Sequence, residues 1–176
     1  MLVETLYSAE LDSPIGPLRL VSSDRGLAYV ELPRASGRGL AGWHQRHAPD
    51  AKLVEAFAPN QAGAGQILEF LEGKRVAFDL SLDLRGTDFQ TRVYEQVASI
   101  PYGETRSYAD VARSLDEPRA VRAVGAANGA NPLPLVIPCH RVIGSRGQLQ
   151  GYGGGLALKS RLLAMEKSRP ASGLLL

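Results

Sequence analysis

Cys139 is the only cysteine in a chain of 176 residues, and His140 follows it directly. One thiol excludes a disulfide, a redox pair of thiols and a cysteine cluster around a metal. A thiol attacks as its thiolate, so a nearby base must take its proton. Neighbours in an extended chain point to opposite sides, so we expect a water between the thiol and the imidazole rather than direct contact. The alternative is an inert buried cysteine beside a structural histidine.

The residues before this thiol form an apolar segment that ends in a rigid turn. Residues 131–143 have the sequence NPLPLVIPCHRVI, in which Pro138 fixes the turn directly before the thiol. This run resembles the active-site signature of the O6-alkylguanine-DNA alkyltransferases, the methylated-DNA–protein-cysteine methyltransferase family. The resemblance extends over about residues 87–167 and, more weakly, over the turn at residues 13–18. It implies a suicide DNA repair protein.

The resemblance assigns chemical roles to further residues. In the family a relay runs from the cysteine through water and histidine to a glutamate, and the matching glutamate here is Glu166. Asn131 would brace the active-site turn. The Tyr108 hydroxyl would donate a proton to the departing guanine, because a guanine anion in a dry pocket is costly. From the residues alone, Glu166 would be a solvent-facing charge, Asn131 a helix stop and Tyr108 a core residue.

Residues 119–130 predict a helix made largely of small residues, with the sequence RAVRAVGAANGA. A helix that reads bases in the major groove needs Arg, Asn or Gln at the base edges, whereas small residues let a backbone approach a shallow surface. The pattern therefore favours minor-groove binding without sequence preference. The resemblance implies that Arg122 fills the base stack, that Gly125 and Ala126 lie on the DNA, and that Ser145 contacts a phosphate. Tight helix packing with solvated arginines is the alternative.

The resemblance also places the walls of a substrate pocket at Val142, Tyr152, Gly153 and Gly154. Gly153 stands where some relatives carry a hydroxyl that contacts the substrate oxygen. We therefore expect the tolerance for larger alkyl groups to differ from that of those relatives.

Charge is unevenly distributed along the chain. Residues 1–83 carry 8 Lys/Arg and 11 Asp/Glu, a net charge of −3, whereas residues 84–176 carry 12 and 7, a net charge of +5. A basic second half fits a polyanionic partner, although scatter of this size is ordinary. The sequence has no apolar run of the roughly 20 residues that a membrane span needs, and no secretion signal. We expect a cytoplasmic protein.

The first half predicts a small α/β unit. Strands are expected over residues 3–11, 18–22, 26–32 and 76–82. Ile67, Leu68 and Leu71 predict a helix that ends at Gly73. Between the third strand and this helix, residues 33–65 are rich in Gly, Ala, Pro and Ser. We expect mostly loop there, with a possible short helix near residues 53–57.

The second half predicts a mostly helical unit. Thr87 and Gln90 form a capping-box pattern, and Ser107 is expected to cap a short second helix. With the helix at residues 119–130 they predict a winged helix-turn-helix, followed by a last helix over residues 156–167. The fold class is therefore α+β: a small N-terminal α/β domain with an antiparallel sheet plus helix, then a mostly helical C-terminal domain. The expected ranges are 1–82, a linker at 83–86, a DNA-binding and alkyl-transfer domain at 87–170, and a tail at 171–176.

The predicted function is direct reversal of DNA alkylation. The protein would bind double-stranded DNA, flip out O6-alkylguanine (and O4-alkylthymine) and transfer the alkyl group to Cys139 once, because a thioether cannot be hydrolysed like a thioester. A non-catalytic lesion-binding protein on the same scaffold is the alternative, and the relatives of that kind replace the cysteine. We expect no cofactor, no obligate protein partner and no zinc, with His44 and His47 at the surface. A thiol hydrolase and a transcriptional helix-turn-helix rank lower.

Overall fold

The structure is a computed structural model that describes residues 3–169, so the tail expected at residues 171–176 and the last residue of the expected C-terminal domain lie outside it. The N-terminal part is a four-stranded sheet in the order β3-β2-β1-β4. Its strands are β1 (Thr5–Leu11), β2 (Leu18–Ser23), β3 (Gly26–Glu31) and β4 (Lys52–Glu55). β1 and β2 pair antiparallel with Leu11 opposite Leu18, β3 pairs antiparallel with β2, and β4 runs parallel to β1.

The rest of the chain is mainly helical. The helices are α1 (Gly39–His47), α2 (Gln61–Leu71), α3 (Asp88–Ala98), α4 (Tyr108–Ser114), α5 (Val121–Gly129) and α6 (Leu156–Ser168). Two short strands, β5 (Arg106–Ser107) and β6 (Val142–Ile143), pair in parallel. This arrangement confirms the α+β fold class.

Side-chain caps decide where α3 and α4 begin. The Thr87 hydroxyl accepts from the backbone N–H of Gln90, whose side chain in turn accepts from the Thr87 N–H. Ser107 and Asp110 make the same reciprocal pair at the start of α4. Both boxes satisfy backbone donors that an uncapped helix would leave free, so the two predicted starts are confirmed.

The prediction of mostly loop over residues 33–65 is wrong. That stretch holds α1, β4 and the start of α2, and residues 53–57, where a short helix was expected, begin inside strand β4. Leu53 and Val54 are exposed on both faces of β4, so the strand is held by backbone pairing with β1 and gives no burial pattern. α1 is held by Trp43, which packs with residues of the sheet in a small buried cluster.

The strand expected over residues 76–82 is also wrong, because this stretch makes only a single bridge, between Leu82 and Leu27. Its end is fixed by two backbone hydrogen bonds, from Leu27 N–H to the Ser81 carbonyl and from Asp83 N–H to the Leu27 carbonyl. Gly26 must be glycine there, since its φ is +138° and a Cβ would overlap the Ser81 carbonyl.

The main core joins both halves of the chain. It contains side chains from β2 and β3, from α2, and from α3 to α6, among them Leu20, Phe70, Val93 and Leu162. Residues 131–138, the segment that leads to Cys139, pack onto this same core through Leu133 and Leu135. A site built on these elements is therefore supported from both sides by close packing.

Candidate active site around Cys139

The turn before Cys139 is braced by one asparagine. Asn131 accepts a hydrogen bond from the Leu133 N–H at Oδ1 (3.0 Å) and donates from Nδ2 to the Ile137 carbonyl (2.8 Å). These bonds hold Leu135 at φ +74°, a conformation that a non-glycine residue adopts only when its surroundings enforce it. The turn delivers Cys139 as a buried residue at the start of a single 3₁₀ turn, Cys139–Arg141.

His140 is completely buried and is held by a carboxylate from α6. Its Nε2 lies 2.7 Å from Glu166 Oε1, while its Nδ1 is buried and makes no hydrogen bond to any residue between 3 and 169. An ionised Glu166 can only accept, so the proton sits on Nε2 and the Nδ1 lone pair is left available. Burial lowers the pKa of His140 below its ordinary value even though Glu166 opposes this, so the resting ring is neutral.

Arg141 holds the same carboxylate from a second direction. Its Nε and Nη2 donate to Glu166, and its Nη1 donates to the Ile100 carbonyl (2.7 Å). The Gly103 N–H donates to Glu166 Oε2 as well (3.1 Å). Burial alone would raise the pKa of Glu166, but the hydrogen bonds from His140 and Arg141 outweigh it and lower the pKa to about 2. Glu166 is therefore a carboxylate at every pH at which the protein would work.

The Cys139 thiol is protonated at rest. Burial raises its pKa, although the Asn131 side chain and the Lys159 charge oppose this. Lys159 is itself fully buried and donates from Nζ to the Val142 and Gln150 carbonyls, both at 2.7 Å. A buried cation near the thiol lowers the cost of forming a thiolate there.

Tyr108 lies next to Lys159. The Lys159 ammonium is 5.8 Å from the centre of the tyrosine ring, and the Tyr108 hydroxyl donates to the Gln150 carbonyl (3.2 Å). Burial raises the pKa of Tyr108, so its hydroxyl keeps its proton and can donate it.

Two adjoining cavities open onto these residues. The first, of about 710 Å³, is lined by Cys139 and Asn131 together with Tyr152, Gly153 and residues of the N-terminal half. The second, of about 560 Å³, is lined by Tyr108 and by Arg122 and Gly125 of α5. Both share Asn128, Tyr152 and Gly153 as walls, so the exposed surface of α5 and the thiol belong to one connected depression.

Comparison with known proteins agrees with this geometry. A family model described as the DNA-binding domain of 6-O-methylguanine DNA methyltransferase matches residues 88–168. The methylated-DNA–protein-cysteine methyltransferase of Mycobacterium tuberculosis (strain ATCC 25618 / H37Rv) is 44% identical over 172 residues, or 97% of this chain and 98% of that protein. The inducible protein of the same name from Bacillus subtilis (strain 168) is 43% identical over 163 residues, or 93% of this chain and 91% of that protein. The crystal structure of M. tuberculosis OGT in complex with DNA matches with a TM-score of 0.79 at 41% identity, covering 95% of this chain and 96% of that one. The chain belongs to the methylated-DNA–protein-cysteine methyltransferase family.

The structure brings most of the residues that the family signature singled out to the two cavities and leaves others away from them. Those that the structure brings together are Cys139, His140, Glu166 and Asn131 around the thiol, and Tyr108, Arg122, Gly125, Tyr152 and Gly153 around the second cavity. Ala126 is exposed on α5, and Gly154 packs against Leu32 beside this methyltransferase site. Val142 is fully buried and lines neither cavity, and its carbonyl instead receives Lys159. Ser145 is exposed and also lines neither cavity.

Sequence reasoning missed three residues of this methyltransferase site. Arg141 and Lys159 are buried cations, and their partners lie 9 to 41 positions away in the chain, so spacing gives no warning of them. Ser36 comes from the stretch that was expected to be structureless loop, yet it lines both cavities. The one available signal was that Arg141 directly follows His140.

The two histidines of the first half have local contacts. His44 Nε2 lies 2.9 Å from the Ala51 carbonyl, and the His47 ring lies 5.9 Å from the Trp43 ring. Within residues 3–169 the structure has no group of three His, Cys, Asp or Glu side chains placed to hold a metal ion. Over the same residues, no helix combines the length and the apolar character that crossing a membrane requires.

Proposed function

We propose that this protein repairs DNA by direct reversal: it binds duplex DNA that carries O6-alkylguanine and transfers the alkyl group to its own Cys139. The observation that carries the proposal is the lone thiol in the lining of a cavity, beside a buried imidazole that has a free Nδ1 and an ionised Glu166 on its Nε2. Both named relatives carry the activity in their names, and the matched crystal structure holds DNA. O4-alkylthymine is proposed as a second substrate.

DNA would bind on α5, which we propose as the second helix of a helix-turn-helix with α4. The exposed face of α5 carries Arg122 and Ala126, with Gly125 half-buried above Tyr108. Side chains this small let the helix approach the floor of the minor groove, and Arg122 is the longest side chain of α5, beside the cavity, from which it could fill the gap left by a flipped base. Recognition would therefore depend on the lesion and not on the sequence around it.

Each proton in the transfer step has a donor and an acceptor. The Cys139 proton passes through a water to Nδ1 of His140, and Glu166 stabilises the imidazolium that forms. The sulfur attacks the alkyl carbon, the S–C bond forms, and the C–O6 bond breaks with its electron pair leaving on guanine. Tyr108 then gives its hydroxyl proton to the guanine, and Lys159 stabilises the phenolate until solvent returns a proton. The thioether product has no carbonyl for water to attack, so each molecule acts once.

The domain boundaries are also part of this proposal. We place a supporting domain at residues 1–82, a linker at 83–86 and the DNA-binding and transfer domain at 87–170, in which β5 and β6 contribute the wing. The proposed site of action is the cytoplasm, because a nucleophilic thiol must stay reduced and a DNA substrate must be within reach.

The test is an intact-mass measurement after mixing the protein with duplex DNA that contains one O6-methylguanine. The expected result is a mass gain of one methyl group in place of the thiol proton, located on Cys139, with one lesion repaired per molecule. Cys139→Ala is the matched control and should bind the duplex without gaining mass. Unmodified parent protein that still binds the lesion would favour the lesion-binding alternative, and many lesions repaired per molecule would contradict single turnover.

A further inference from the structure

Asn128, in the last turn of α5, borders both reacting groups of the proposed transfer. Its side chain is almost completely buried, yet the residue lines the cavity that holds Cys139 and also the one that holds Tyr108. Its Nδ2 donates to the Cys139 carbonyl (3.3 Å). Gly125, three positions earlier on the same face of α5, would place a Cβ 3.9 Å from the Tyr108 ring. This face of the helix therefore packs at the tyrosine.

The hydrogen bonds of Asn128 do not explain why an amide is placed there. The Cys139 carbonyl already accepts from the Val142 N–H, so it would be satisfied without the asparagine. Asn128 Oδ1 is buried and finds no hydrogen-bond partner in the part of the chain that the structure describes. An unpaired buried polar atom destabilises a fold, and each one in a native structure calls for an explanation. Fold stability alone would favour an apolar residue at this position.

The second N–H of the Asn128 amide has a use at Tyr108. An amide nitrogen carries two donors, and the Cys139 carbonyl takes only one of them. The Tyr108 hydroxyl gives its proton to the Gln150 carbonyl, so the lone pairs of its oxygen are left to accept. Burial raises the pKa of Tyr108, whereas the Asn128 side chain, which can hydrogen-bond to the phenolate, opposes that rise. A group with this effect stabilises the deprotonated tyrosine.

We propose that Asn128 is a positioning residue for the proton donor: its amide N–H holds the Tyr108 oxygen and stabilises the phenolate that forms when Tyr108 protonates the departing guanine. This inference rests on the proposed alkyl transfer and adds a residue that assists its leaving group. The O–H bond of Tyr108 breaks, the proton goes to guanine, and the negative charge stays on the phenolate oxygen. Asn128 and the Lys159 ammonium then stabilise that charge together. The bond to the Cys139 carbonyl fixes the orientation of the amide.

The test is a double-mutant cycle on single-turnover methyl transfer from duplex DNA that carries O6-methylguanine. Asn128→Leu removes the amide at similar size, and we expect the rate constant to fall by about tenfold, the scale of one hydrogen bond to a charged group. In a Tyr108→Phe protein the same change should cause no further loss, because no phenolate forms there. Equal losses with and without the tyrosine hydroxyl would overturn the proposal.

A second reaction separates an effect on the tyrosine from an effect on the thiol. Iodoacetamide alkylates a thiolate with iodide as the leaving group, and iodide needs no proton. Alkylation of Cys139 by iodoacetamide should therefore proceed at the parent rate in Asn128→Leu. A slower reaction in the variant would place the effect of Asn128 on the thiol, through the Cys139 carbonyl, and would contradict a role at Tyr108.

Binding and stability measurements distinguish this role from a structural one. In Asn128→Leu the dissociation constant for the duplex and the midpoint of urea unfolding should not worsen, because the amide is buried and its oxygen is unpaired. A loss of affinity or stability that accompanies the loss of rate would assign Asn128 to the fold. Asn128→Ala removes the same amide and replaces Asn128→Leu if that variant does not fold.

The outcomes for the parent protein separate this inference from the proposed function. An unchanged transfer rate in Asn128→Leu, with Cys139 methylated in the parent, would refute the role of Asn128 alone. A parent that never becomes methylated would refute the proposed function instead.

Discussion

Asp83 and Glu166 are both buried carboxylates with cationic partners, but only Glu166 contacts a residue next to the nucleophile. Asp83, where the N-terminal half ends, accepts hydrogen bonds from the Ser23 hydroxyl (2.7 Å) and from Arg85. Glu166 accepts from His140 and Arg141. In both, burial would raise the carboxyl pKa, and hydrogen bonds and nearby cations lower it instead.

The difference lies in what the partners do next. Arg85 also donates to Glu4 and to the His47 carbonyl and lies over the Trp43 ring, so the network around Asp83 ends in structural contacts. His140 instead keeps an unused Nδ1 and is adjacent to Cys139. A buried ion pair by itself has a structural role. It can take part in catalysis when one partner is titratable and has a second, free atom that can accept a proton.

The largest expected effect separates the two carboxylates by activity. Glu166→Gln should slow methyl transfer by about 10²- to 10³-fold, the range over which general-base assistance contributes, because a neutral amide stabilises the imidazolium poorly. Single-turnover transfer from O6-methylguanine DNA measures this, at a temperature where circular dichroism shows the variant folded. Asp83→Asn is the matched control and should keep the parent rate. Equal losses of rate in the two variants would contradict a catalytic role for Glu166 that Asp83 does not share.

Acid unfolding tests the depressed pKa of Glu166. A carboxyl group whose folded pKa is lowered stabilises the fold above its unfolded pKa, and this stability is lost as the pH falls through the folded value. For Glu166 the window runs from 4.5 down to about 2. The free energy of unfolding should fall across it by about 3 kcal/mol from this group, in addition to the loss from Asp83, whose pKa is also lowered. Urea unfolding at several pH values measures it, and a Glu166→Gln variant with the same acid dependence would contradict it.

Asp83→Asn should act on stability alone. Removing the charge leaves the nearly buried Arg85 without the more buried of its two carboxylate partners, and we expect a loss of about 2 to 3 kcal/mol in the free energy of unfolding. The loss is set below that of a fully buried pair because Arg85 still reaches Glu4. Urea denaturation of the variant gives the value. A variant as stable as the parent would show that backbone hydrogen bonds, such as that from the Asp83 N–H to the Leu27 carbonyl, hold this segment instead.

The smallest effect comes from a carboxylate outside both networks. Glu117 pairs with Arg92 at 2.7 Å, but both side chains are more than two-fifths exposed. Glu117→Gln should therefore change the free energy of unfolding by less than about 1 kcal/mol and leave the transfer rate alone. The same urea and transfer assays apply. A larger loss would mean that burial is not what separates the three sites.

Local chemistry made part of the fold predictable. The capping boxes at Thr87 and Ser107 predict the starts of α3 and α4, and the turn residues between β1 and β2 predict their hairpin. α1 and β4 were missed because neither has a periodic apolar face: α1 buries only Trp43, and β4 buries nothing. Such elements exist because neighbours in space pair with them, and a single sequence does not contain those neighbours.

The sequence by itself determined the candidate nucleophile, since a chain with one cysteine offers one thiol. It also determined the segment that carries this thiol, because Asn131 and Pro138 act on residues close to them in the chain. Only the tertiary structure decided whether the thiol has a base. Glu166 lies 26 positions from His140 and Lys159 lies 17 from the Val142 carbonyl that holds it. The pKa of a buried group depends on lost water and on charges brought from such distances, and folding alone brings them together.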